Sequence, residues 1–399
     1  MSETKKSVLF LIHTLGGGGA EKALVNLVKA LSSDDFDITV QTVVDTGRYR
    51  AELPSHVRYR RFISLPGLKR EEKGGESGSL LAKPSKVKLL LAKAYVGFWR
   101  CMRAKLLHKM VVRERYDIEI AYLEGICAKI ISGSFDPGVE KYAWIHVDLV
   151  EQTKSHAVFG SVEREEETYG RFDRIACVSE HVRQQFAGRF PSLEPKTCIC
   201  HNVIDEDEVR GKAGEAVPCD AVDEKRFTIV SVGRLNHQKG YDRLLSACSQ
   251  LYRKGFDFDV RIVGTGTARD VLAKMIFDHG MQGRVRLLGY QENPYGIVAA
   301  ADLYVASSRT EGLSTTVAEA LVLGVPVVAT DCSGMSELLG DSERGLIVEN
   351  STEGLVRGIE LLMENAEVFR SYAKAAEDLG NPFSPEMART EFYRLVRGW

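Results

Sequence analysis

The sequence lacks a long hydrophobic run, a surplus of either charge, and a high content of cysteine or proline. No stretch reaches the roughly 18 consecutive apolar residues that a membrane-spanning helix needs, and the amino-terminal segment lacks the features of a signal peptide. A net charge of −2 excludes a protein that binds nucleic acid through its overall charge. Eight cysteines and eleven prolines in 399 residues exclude a disulfide scaffold and a collagen-like or mainly disordered chain. We therefore expect a cytoplasmic protein that is soluble or peripherally bound to the inner face of the plasma membrane.

Strand-like and helix-like segments alternate along the chain in two blocks. Residues 8–12 form an apolar run, residues 16–19 are four glycines, and an amphipathic pattern and a second apolar run follow. This order predicts a βαβ unit. The alternation restarts near residue 227, after a polar join over residues 205–225. The pattern predicts an α/β protein with two doubly wound, Rossmann-like domains and a closing helix. Their expected bounds are 1–204, 205–380 and 381–399.

The exception to the balanced charge is residues 83–115, which hold six lysines and four arginines against one glutamate, a net charge of +9. Five apolar residues recur there at helical steps and share one face of a predicted helix: Leu91, Tyr95, Phe98, Met102 and Leu106. A basic amphipathic helix with aromatic residues suits an anionic membrane surface. It equally suits a solvated helix whose apolar face joins the core, because charge and periodicity do not locate a helix at an interface.

Two loops carry the residue types that bind phosphate. Gly18 and Gly19 open a predicted helix, where backbone amides can stabilise an anion. Their spacing matches neither the P-loop nor the dinucleotide-binding motif, and a plain tight turn is the alternative. Arg234 and Lys239 follow a strand of the second block, and ligands of open α/β sheets bind at the carboxyl ends of strands. The two cations together suit a diphosphate, and a solvated loop is the alternative.

The segment SSRTEGLSTTVAEALVLGVPVVAT holds the most specific pattern of the chain. Seven residues separate Glu311 from Glu319, which lies on a helix expected to begin at Ser314 or Thr315. The amides of Leu313 and the two residues after it would then point from the helix start towards a phosphate. Glu311 can accept hydrogen bonds from sugar hydroxyls, and Glu319 can accept them from a ribose. Taken alone, Glu319 is more simply explained as an ordinary helix glutamate.

Together these motifs resemble the retaining glycosyltransferases of family 4, which have the GT-B fold. The resemblance covers nearly the whole chain, and its parts are GGGGAEK, HNVID, VGRL with QKG, IVGTG, EGLSTTVAEAL, GVPVVAT and GMSELL. The glutamate segment combined with Arg234 and Lys239 is highly specific, whereas the other parts are individually weak. HNVID departs from the family, which often has glycine after the asparagine, and the departure affects only the hinge turn.

The resemblance implies two Rossmann-like domains facing a central cleft, with the acceptor bound by the first and the nucleotide sugar by the second. It also implies that the closing helix over 381–399 packs back on the first domain. It implies that Arg234 and Lys239 are catalytic, because they offset the charge developing on the leaving diphosphate. Glu311 would be catalytic and bind the donor sugar, and Glu319 would bind the ribose. The further donor-binding residues are Gly18, Gly19, Gly264, Leu288, Tyr290, Gly312, Leu313 and Ser314.

On the acceptor side the resemblance implies roles for His146 and Asp148. The family often places a histidine near the anomeric carbon, after a strand of the first domain, so His146 would be catalytic and position the donor sugar or the acceptor. Asp148 is a further acceptor-binding candidate. The alternatives are a structural histidine and an aspartate that caps a helix.

We expect a retaining hexosyltransferase that uses a nucleotide-diphosphate sugar, with UDP favoured over GDP, and a glycan or polyprenyl-linked acceptor. The process would be bacterial cell-surface polysaccharide synthesis. No metal cofactor is implied, because cations and helix-start amides can replace Mg²⁺ electrostatically, and no nucleic-acid partner is expected. Two alternatives stay open: a GT-B epimerase acting on a UDP-amino sugar, which needs no acceptor, and a non-catalytic scaffold that binds a nucleotide sugar without turnover.

Overall fold

The computed structural model describes residues 5–64, 86–149, 155–215, 226–378 and 383–397. The chain divides into two compact units: unit 1 is Met1–Val203 with Pro385–Trp399, and unit 2 is Ile204–Ser384. Parts of the sequence predictions lie outside the described residues: the start of the basic segment at 83–85, the side chain of Leu91, the join over 216–225, and both ends of the closing helix at 381–382 and 398–399.

The described residues form thirteen strands and fifteen α-helices, and strands and helices mostly alternate along the chain. The strands are β1 (Lys6–Ile12), β2 (Phe36–Val44), β3 (Arg58–Ile63), β4 (Ile118–Ala121), β5 (Glu140–Ile145), β6 (Arg174–Cys177), β7 (Thr197–Ile199), β8 (Phe227–Val232), β9 (Phe258–Val263), β10 (Val285–Gly289), β11 (Leu303–Ala306), β12 (Val327–Thr330) and β13 (Leu346–Val348). The helices are α1 (Gly19–Ala30), α2 (Lys86–Cys101), α3 (Ala104–Val111), α4 (Ile126–Ile131), α5 (Val162–Gly170), α6 (Glu180–Arg189), α7 (Glu206–Ala213), α8 (Tyr241–Arg253), α9 (Arg269–Asp278), α10 (Tyr295–Ala299), α11 (Thr315–Val322), α12 (Met335–Leu339), α13 (Thr352–Glu364), α14 (Ala366–Asp378) and α15 (Pro385–Arg397).

Unit 1 is built on a seven-stranded parallel sheet with the order β3-β2-β1-β4-β5-β6-β7. Its central strand β1 is buried on both faces, since residues 8–12 are excluded from solvent. Such an apolar run is typical of a parallel strand covered by helices on both sides. Strand β2 pairs with β1 in parallel, from Lys6 with Phe36 to Ile12 with Thr42. The predicted βαβ unit is therefore confirmed as β1, α1 and β2.

Unit 2 is built on a six-stranded parallel sheet with the order β10-β9-β8-β11-β12-β13. Strands β8 and β9 bury Ile229, Val260 and Ile262 in a core that α8 covers with Leu244 and Leu251. In both units the chain runs outward from the first strand and then returns to its other side, at β4 in unit 1 and at β11 in unit 2. This reversal leaves a crevice at the carboxyl ends of the two strands, where ligands of such sheets bind.

The closing helix α15 ends the chain yet belongs to unit 1. The Phe392 ring stacks on the Phe10 ring with 5.8 Å between centroids and meets the Phe36 ring edge-on at 5.5 Å. The Glu391 carboxylate accepts the backbone N–H of His201 at 2.8 Å. Aromatic packing on β1 and β2 and this hydrogen bond to the segment after β7 together hold α15 against unit 1.

The basic segment forms two helices, α2 and α3, so the prediction of a single helix was wrong. The break falls at Met102 and Arg103, and Arg103 has extended backbone angles, with φ −70° and ψ 137°. The Lys129 ammonium donates to the carbonyl oxygens of Trp99 at 2.8 Å and Arg100 at 2.9 Å. A side chain from α4 therefore satisfies carbonyls at the end of α2, which lets the helix stop there.

The apolar side of the basic segment is divided between core and surface. Trp99 is buried, and the Tyr95 hydroxyl lies 2.9 Å from Nε2 of His13. Phe98 and Leu106, in contrast, are 47% and 49% exposed. The apolar face of this segment is therefore partly core and partly exposed, and its contact with a membrane stays a prediction.

Candidate active site

Lys239 and Glu311 meet at the crevice of unit 2, where β8 and β11 end. The Lys239 ammonium donates to Oε1 of Glu311 at 2.6 Å, and the Ser308 hydroxyl donates to the same oxygen at 2.6 Å. Both members of the ion pair are largely buried, with side chains 17% and 9% exposed. The sequence predicted both residues as site residues but not their contact. The pair fixes a cation and a carboxylate side by side, a suitable arrangement for binding a phosphate and a sugar hydroxyl.

The backbone of Lys239 is held in place because the loop after β8 packs closely against the loop after β11. Gly240 has φ +64°, and a Cβ built there would lie 1.9 Å from the carbonyl oxygen of Ser307. The Ser307 hydroxyl donates to the carbonyl oxygen of Lys239 at 2.9 Å. Glycine is therefore required at position 240, both for the left-handed backbone and for the approach of the β11 loop.

Arg234 is exposed in the loop between β8 and α8. Among the described residues its guanidinium makes no hydrogen bond or ion pair, whereas Lys239 is bound to Glu311. The neighbouring backbone is fixed, because the Leu235 N–H donates to the carbonyl of Thr265 at 3.0 Å. A rigid loop that carries an uncompensated cation is suited to bind an anionic ligand.

Gly264 allows the loop after β9 to pack closely against the loop after β8. Its φ is +137°, and a Cβ built there would lie 2.0 Å from the carbonyl oxygen of Gly233. The Gly264 N–H donates to the carbonyl of Gly289 at 2.7 Å. On either side of Gly289, Leu288 is half-buried and Tyr290 is 44% exposed. The loops after β8, β9 and β10 therefore form one continuous rim, which brings the predicted base-pocket segments next to the Arg234 loop.

Helix α11 begins at Thr315 with Ser314 as its cap, as the sequence predicted. Gly312, Leu313 and Ser314 are buried, so the helix start lies directly after the Lys239–Glu311 pair. Glu319 lies one turn into the helix and is half-buried, and the Tyr295 hydroxyl donates to its Oε1 at 3.3 Å. The start of α11 thus presents backbone amides beside the ion pair.

The glycine loop of unit 1 differs from a simple phosphate loop. Gly18 caps α1 and Gly19 is its first residue. A Cβ built at Gly18 would lie only 2.2 Å from Oε2 of Glu21, so a carboxylate lies against the helix start. The nearby ammonium of Lys22 is paired with Glu52 at 2.7 Å. Anion binding at this loop therefore requires the Glu21 side chain to move away.

His146 directly follows β5 and is 7% exposed. Neither of its ring nitrogens has a hydrogen bond of ordinary geometry to the described residues, although its ring lies 4.9 Å from that of Tyr122. Burial lowers the pKa of His146 to about 3, opposed in part by the backbone of Tyr122. The imidazole is therefore neutral at physiological pH and keeps one donor and one acceptor for a ligand.

Two carboxylates lie next to His146 along the chain or in space. Asp148 is buried, and its Oδ2 is 3.5 Å from Nε2 of His181. Glu124, which the sequence analysis missed, accepts the backbone N–H of His146 at 3.3 Å. Its signal was its position, since it lies three residues after β4, the strand beside β1 at the crevice, as Glu311 lies five residues after β11. Within the described ranges no group of three or more His, Cys, Asp and Glu side chains is arranged to hold a metal ion.

Three comparisons relate this chain to known proteins. Residues 219–379 match the family model described as Glycosyl transferases group 1. A protein of Campylobacter jejuni, N-acetylgalactosamine-N,N'-diacetylbacillosaminyl-diphospho-undecaprenol 4-alpha-N-acetylgalactosaminyltransferase, is 33% identical over 218 residues, which are 54% of this chain and 57% of that protein. The chain spans about half the length of several curated relatives that it matches. An uncharacterized glycosyltransferase of Haemophilus influenzae is 24% identical over 379 residues, 92% of both chains.

The solved structures extend the likeness to the whole fold. The Anabaena protein Alr3699/HepE, solved in complex with UDP and glucose, superposes with a TM-score of 0.73 at 19% identity, over 99% of this chain and 100% of that chain. With its two parallel sheets, the chain therefore has the α/β GT-B fold that the sequence predicted. No helix in the described part of the chain is long and apolar enough to cross a membrane.

Proposed function

We propose that this chain is a retaining hexosyltransferase that moves a sugar from a nucleotide-diphosphate sugar to a hydroxyl of a glycan or lipid-linked glycan. The observation that carries the proposal is the Lys239–Glu311 ion pair beside the start of α11, with Arg234 exposed nearby. UDP is the favoured nucleotide. Bacterial cell-surface polysaccharide synthesis is the process we propose for it.

In this mechanism unit 2 binds the donor. Arg234 and Lys239 stabilise the negative charge that grows on the diphosphate as the bond to the anomeric carbon breaks, and the first amides of α11 add to that field. Because these groups are fixed before the reaction, little reorganisation accompanies the charge transfer. Glu311 holds the sugar by accepting hydrogen bonds from its hydroxyls, and Glu319 holds the ribose. These cationic and amide groups supply the charge stabilisation, so we propose that transfer needs no divalent metal ion.

Unit 1 binds the acceptor through His146 and Asp148. The buried, neutral imidazole of His146 offers a hydrogen-bond donor and acceptor, which suits a sugar hydroxyl. The names of similar proteins support such a substrate: that of the Campylobacter relative specifies a diphospho-undecaprenol glycan, and that of the Anabaena complex specifies UDP and glucose.

The test is a transfer assay with a panel of UDP- and GDP-sugars and a polyprenyl diphosphate-linked glycan, run with EDTA and read by mass spectrometry. Lys239→Ala is the test variant, and Lys254→Ala is its matched control. Both lysines flank α8 and pair with a glutamate, Lys239 with Glu311 at 2.6 Å and Lys254 with Glu360 at 2.7 Å. We expect the wild type and Lys254→Ala to transfer a sugar and Lys239→Ala to lose about 100-fold or more in rate.

The outcomes separate the alternatives. A converted nucleotide sugar without any acceptor identifies an epimerase, and nucleotide binding without turnover identifies a scaffold. Transfer that survives Lys239→Ala unchanged contradicts the assigned role of the ion pair. A requirement for Mg²⁺, seen as loss of transfer in EDTA, contradicts the metal-independent mechanism.

We also propose that unit 1 contacts an anionic membrane surface through a basic aromatic patch, which we define as Lys105, Leu106, Phe135 and Arg171. Phe135 is 59% exposed, with the Lys105 ammonium 4.9 Å and the Arg171 guanidinium 6.0 Å from its ring centroid. Exposed apolar side chains flanked by cations suit the headgroup region of anionic lipids.

Co-sedimentation with phosphatidylglycerol vesicles at low salt tests this contact. We expect Phe135→Ser to weaken binding, because it removes the exposed ring between the two cations. Phe277→Ser is the matched control, since Phe277 is 68% exposed on α9 of unit 2 and lies outside the patch. Equal vesicle binding by both variants and the wild type contradicts the assigned patch, and absence of binding by the wild type contradicts the membrane contact.

A further inference from the structure

We propose that Glu124 binds the reacting hydroxyl of the acceptor and takes its proton, with His146 as the neighbouring hydrogen-bonding group. The inference rests on the proposed transferase function and adds a residue that neither the motifs nor the family resemblance indicated. Three features of unit 1 support it: the place of Glu124 in the sheet, its contact with His146, and its burial and neighbouring charges. The chemistry of the transfer supports it as well.

The place of Glu124 is the crevice of the unit 1 sheet. It follows the end of β4, and β4 lies beside β1 at the point where the strand order reverses. The next residue, Gly125, has φ +72° and ψ −114°, which turns the chain sharply into α4. The carboxylate therefore lies at the carboxyl edge of the sheet, where open α/β sheets bind ligands.

The contact with His146 joins the ends of neighbouring strands. The backbone N–H of His146, after β5, donates to Oε2 of Glu124 at 3.3 Å. The imidazole itself is 7% exposed and leaves both ring nitrogens without a hydrogen bond of ordinary geometry to the described residues. Buried polar groups of this kind are costly unless a partner satisfies them. A hydroxyl suits both groups, because it can donate to the carboxylate and accept from the imidazole.

Burial, with a smaller effect from a neighbouring charge, keeps part of the Glu124 population protonated near neutral pH. Burial raises the pKa of the Glu124 carboxyl to about 7, and the Glu21 carboxylate on α1 adds to the rise, while hydrogen bonds from its own and the His146 backbone oppose it. The other titratable groups facing it are Cys127 of α4 and Tyr169 of α5, and burial raises the pKa of both. These neighbours carry no positive charge at neutral pH.

A carboxyl group with a pKa near the working pH suits general base catalysis, because it is sufficiently ionised to accept a proton and sufficiently basic to hold it. In the transfer, the acceptor oxygen forms a bond to the anomeric carbon on the same face from which the diphosphate oxygen departs, so the anomeric configuration is retained as the bond from that carbon to the diphosphate oxygen breaks. The electron pair of the broken bond leaves with the nucleoside diphosphate. The proton of the acceptor hydroxyl passes to the Glu124 carboxylate, which then releases it to water.

The test variant is Glu124→Gln, which keeps an oxygen that can accept the His146 N–H and removes the basic carboxylate. Its matched control is Glu140→Gln. Glu140 lies at the start of β5, and so at the amino ends of the strands, on the side of the sheet away from the crevice. Its side chain is 43% exposed and pairs with Lys6. We expect Glu124→Gln to lower kcat/KM for the acceptor by about 100-fold or more. Nucleotide binding, measured by the thermal shift with UDP, should match that of the wild type and of Glu140→Gln.

The pH profile distinguishes a base from a merely structural carboxylate. We expect kcat/KM for the acceptor in the wild type to rise with an apparent pKa near 7, and this rise to be absent in Glu124→Gln. Glu124→Asp retains the charge and should keep the inflection with partial activity. This variant and the wild-type profile test the inference if Glu124→Gln fails to fold. A flat wild-type profile, or full activity in Glu124→Gln, overturns the inference while the transferase function stands. A wild type that binds no nucleotide and transfers no sugar overturns both.

Discussion

At the scale of single residues, the Lys239–Glu311 pair combines two predicted roles in one contact. Both side chains are largely buried, so each depends on the other for compensation of its charge. Arg234, 5 residues before Lys239 in the sequence, is exposed and has no such partner among the described side chains. A diphosphate would therefore meet one free cation and one that is already paired, and the two residues differ in what their removal changes.

We predict that Glu311→Ala and Arg234→Ala affect different steps. Glu311→Ala frees the Lys239 ammonium for phosphate, so nucleotide affinity should largely survive while kcat falls by about 100-fold or more. Arg234→Ala removes charged hydrogen bonds to the diphosphate and should weaken both transfer and UDP binding, the latter by about 1.5–3 kcal/mol. Isothermal titration with UDP and steady-state kinetics measure the two effects. Equal losses of UDP affinity in the two variants contradict these roles.

We predict that His146 makes stability sensitive to acid. Burial lowers its pKa from the ordinary 6.5 to about 3, so its contribution to stability is fully present above pH 6.5 and is lost as the pH falls towards 3. Over this range each pH unit costs about 1.4 kcal/mol for the one proton that the unfolded chain binds. His146→Gln should therefore show a shallower fall in the unfolding temperature between about pH 6.5 and 4.

The same pair of proteins at about pH 8 provides the control, because the imidazole is neutral there in both the folded and the unfolded chain. Any difference at that pH reports packing alone. Parallel curves for the two proteins from pH 8 to 4 are the result that contradicts a buried, neutral imidazole.

At the scale of elements, contacts from elsewhere in the fold determine where helices end. The continuous amphipathic pattern of the basic segment predicted one helix, but Lys129 from α4 satisfies the carbonyls at the end of α2 and the chain breaks before α3. Edge strands of the unit 1 sheet carry a weaker sequence signal than its inner strands. β3 and β7 are the edges of the unit 1 sheet and have no fully buried residue, so they lack the apolar run that identifies an inner strand.

We predict that the close contact between Gly240 and the carbonyl of Ser307 contributes more to stability and UDP binding than the left-handed backbone of Gly240 does. Gly240 and Gly280 have nearly the same φ, +64° and +66°, but a Cβ at Gly240 meets the carbonyl of Ser307 at 1.9 Å while that at Gly280 has nothing within 4 Å. Gly280→Ala should cost about 1 kcal/mol, from backbone strain alone. Gly240→Ala should cost about 1–3 kcal/mol more and weaken UDP binding, because the Lys239 loop must shift.

Chemical denaturation and a UDP titration of the two variants measure these effects. Gly280→Ala serves as the matched control for backbone strain within unit 2. Equal stability and equal UDP affinity in the two variants contradict a requirement for close packing of the β8 and β11 loops.

At the scale of the whole molecule, the two units repeat one topology and differ in the chemistry of their crevices. The crevice of unit 2 has the exposed cation Arg234 and the ion-paired Lys239, whereas that of unit 1 has Glu21, Glu124 and a neutral imidazole. Cations favour a diphosphate, and carboxylates with a neutral imidazole favour hydroxyl groups. The difference supports a division of the donor and acceptor sites between the units.

We predict that UDP slows amide hydrogen exchange in unit 2, in the loops after β8 and β11 and at the start of α11. A ligand at 100 times its dissociation constant stabilises the form that binds it by about 2.7 kcal/mol, and its hydrogen bonds protect the amides it contacts directly. Mass spectrometry of the exchange should show this protection in the wild type, and Arg234→Ala serves as the control with weakened binding. Protection confined to unit 1 contradicts the assignment of the donor site.

The sequence by itself determined the class of the fold and indicated most residues of the proposed donor site. Strand and helix periodicities are local properties, so alternating apolar runs and amphipathic patterns indicated two doubly wound sheets without any long-range information. The start of α11 followed from the same local signals. The family resemblance then identified Arg234, Lys239, Glu311 and Glu319 together, because their motifs are specific as a set.

Only the tertiary structure decided which of these groups touch. Lys239 and Glu311 are 72 residues apart in the chain and meet because β8 and β11 are neighbours in the sheet. Glu124 and His146 meet because β4 pairs with β5, and their altered pKa values come from burial, which no short segment of sequence encodes. Strand order and burial arise from the packing of the whole unit, and for that physical reason the contacts of the site, and Glu124 itself, emerged only from the folded chain.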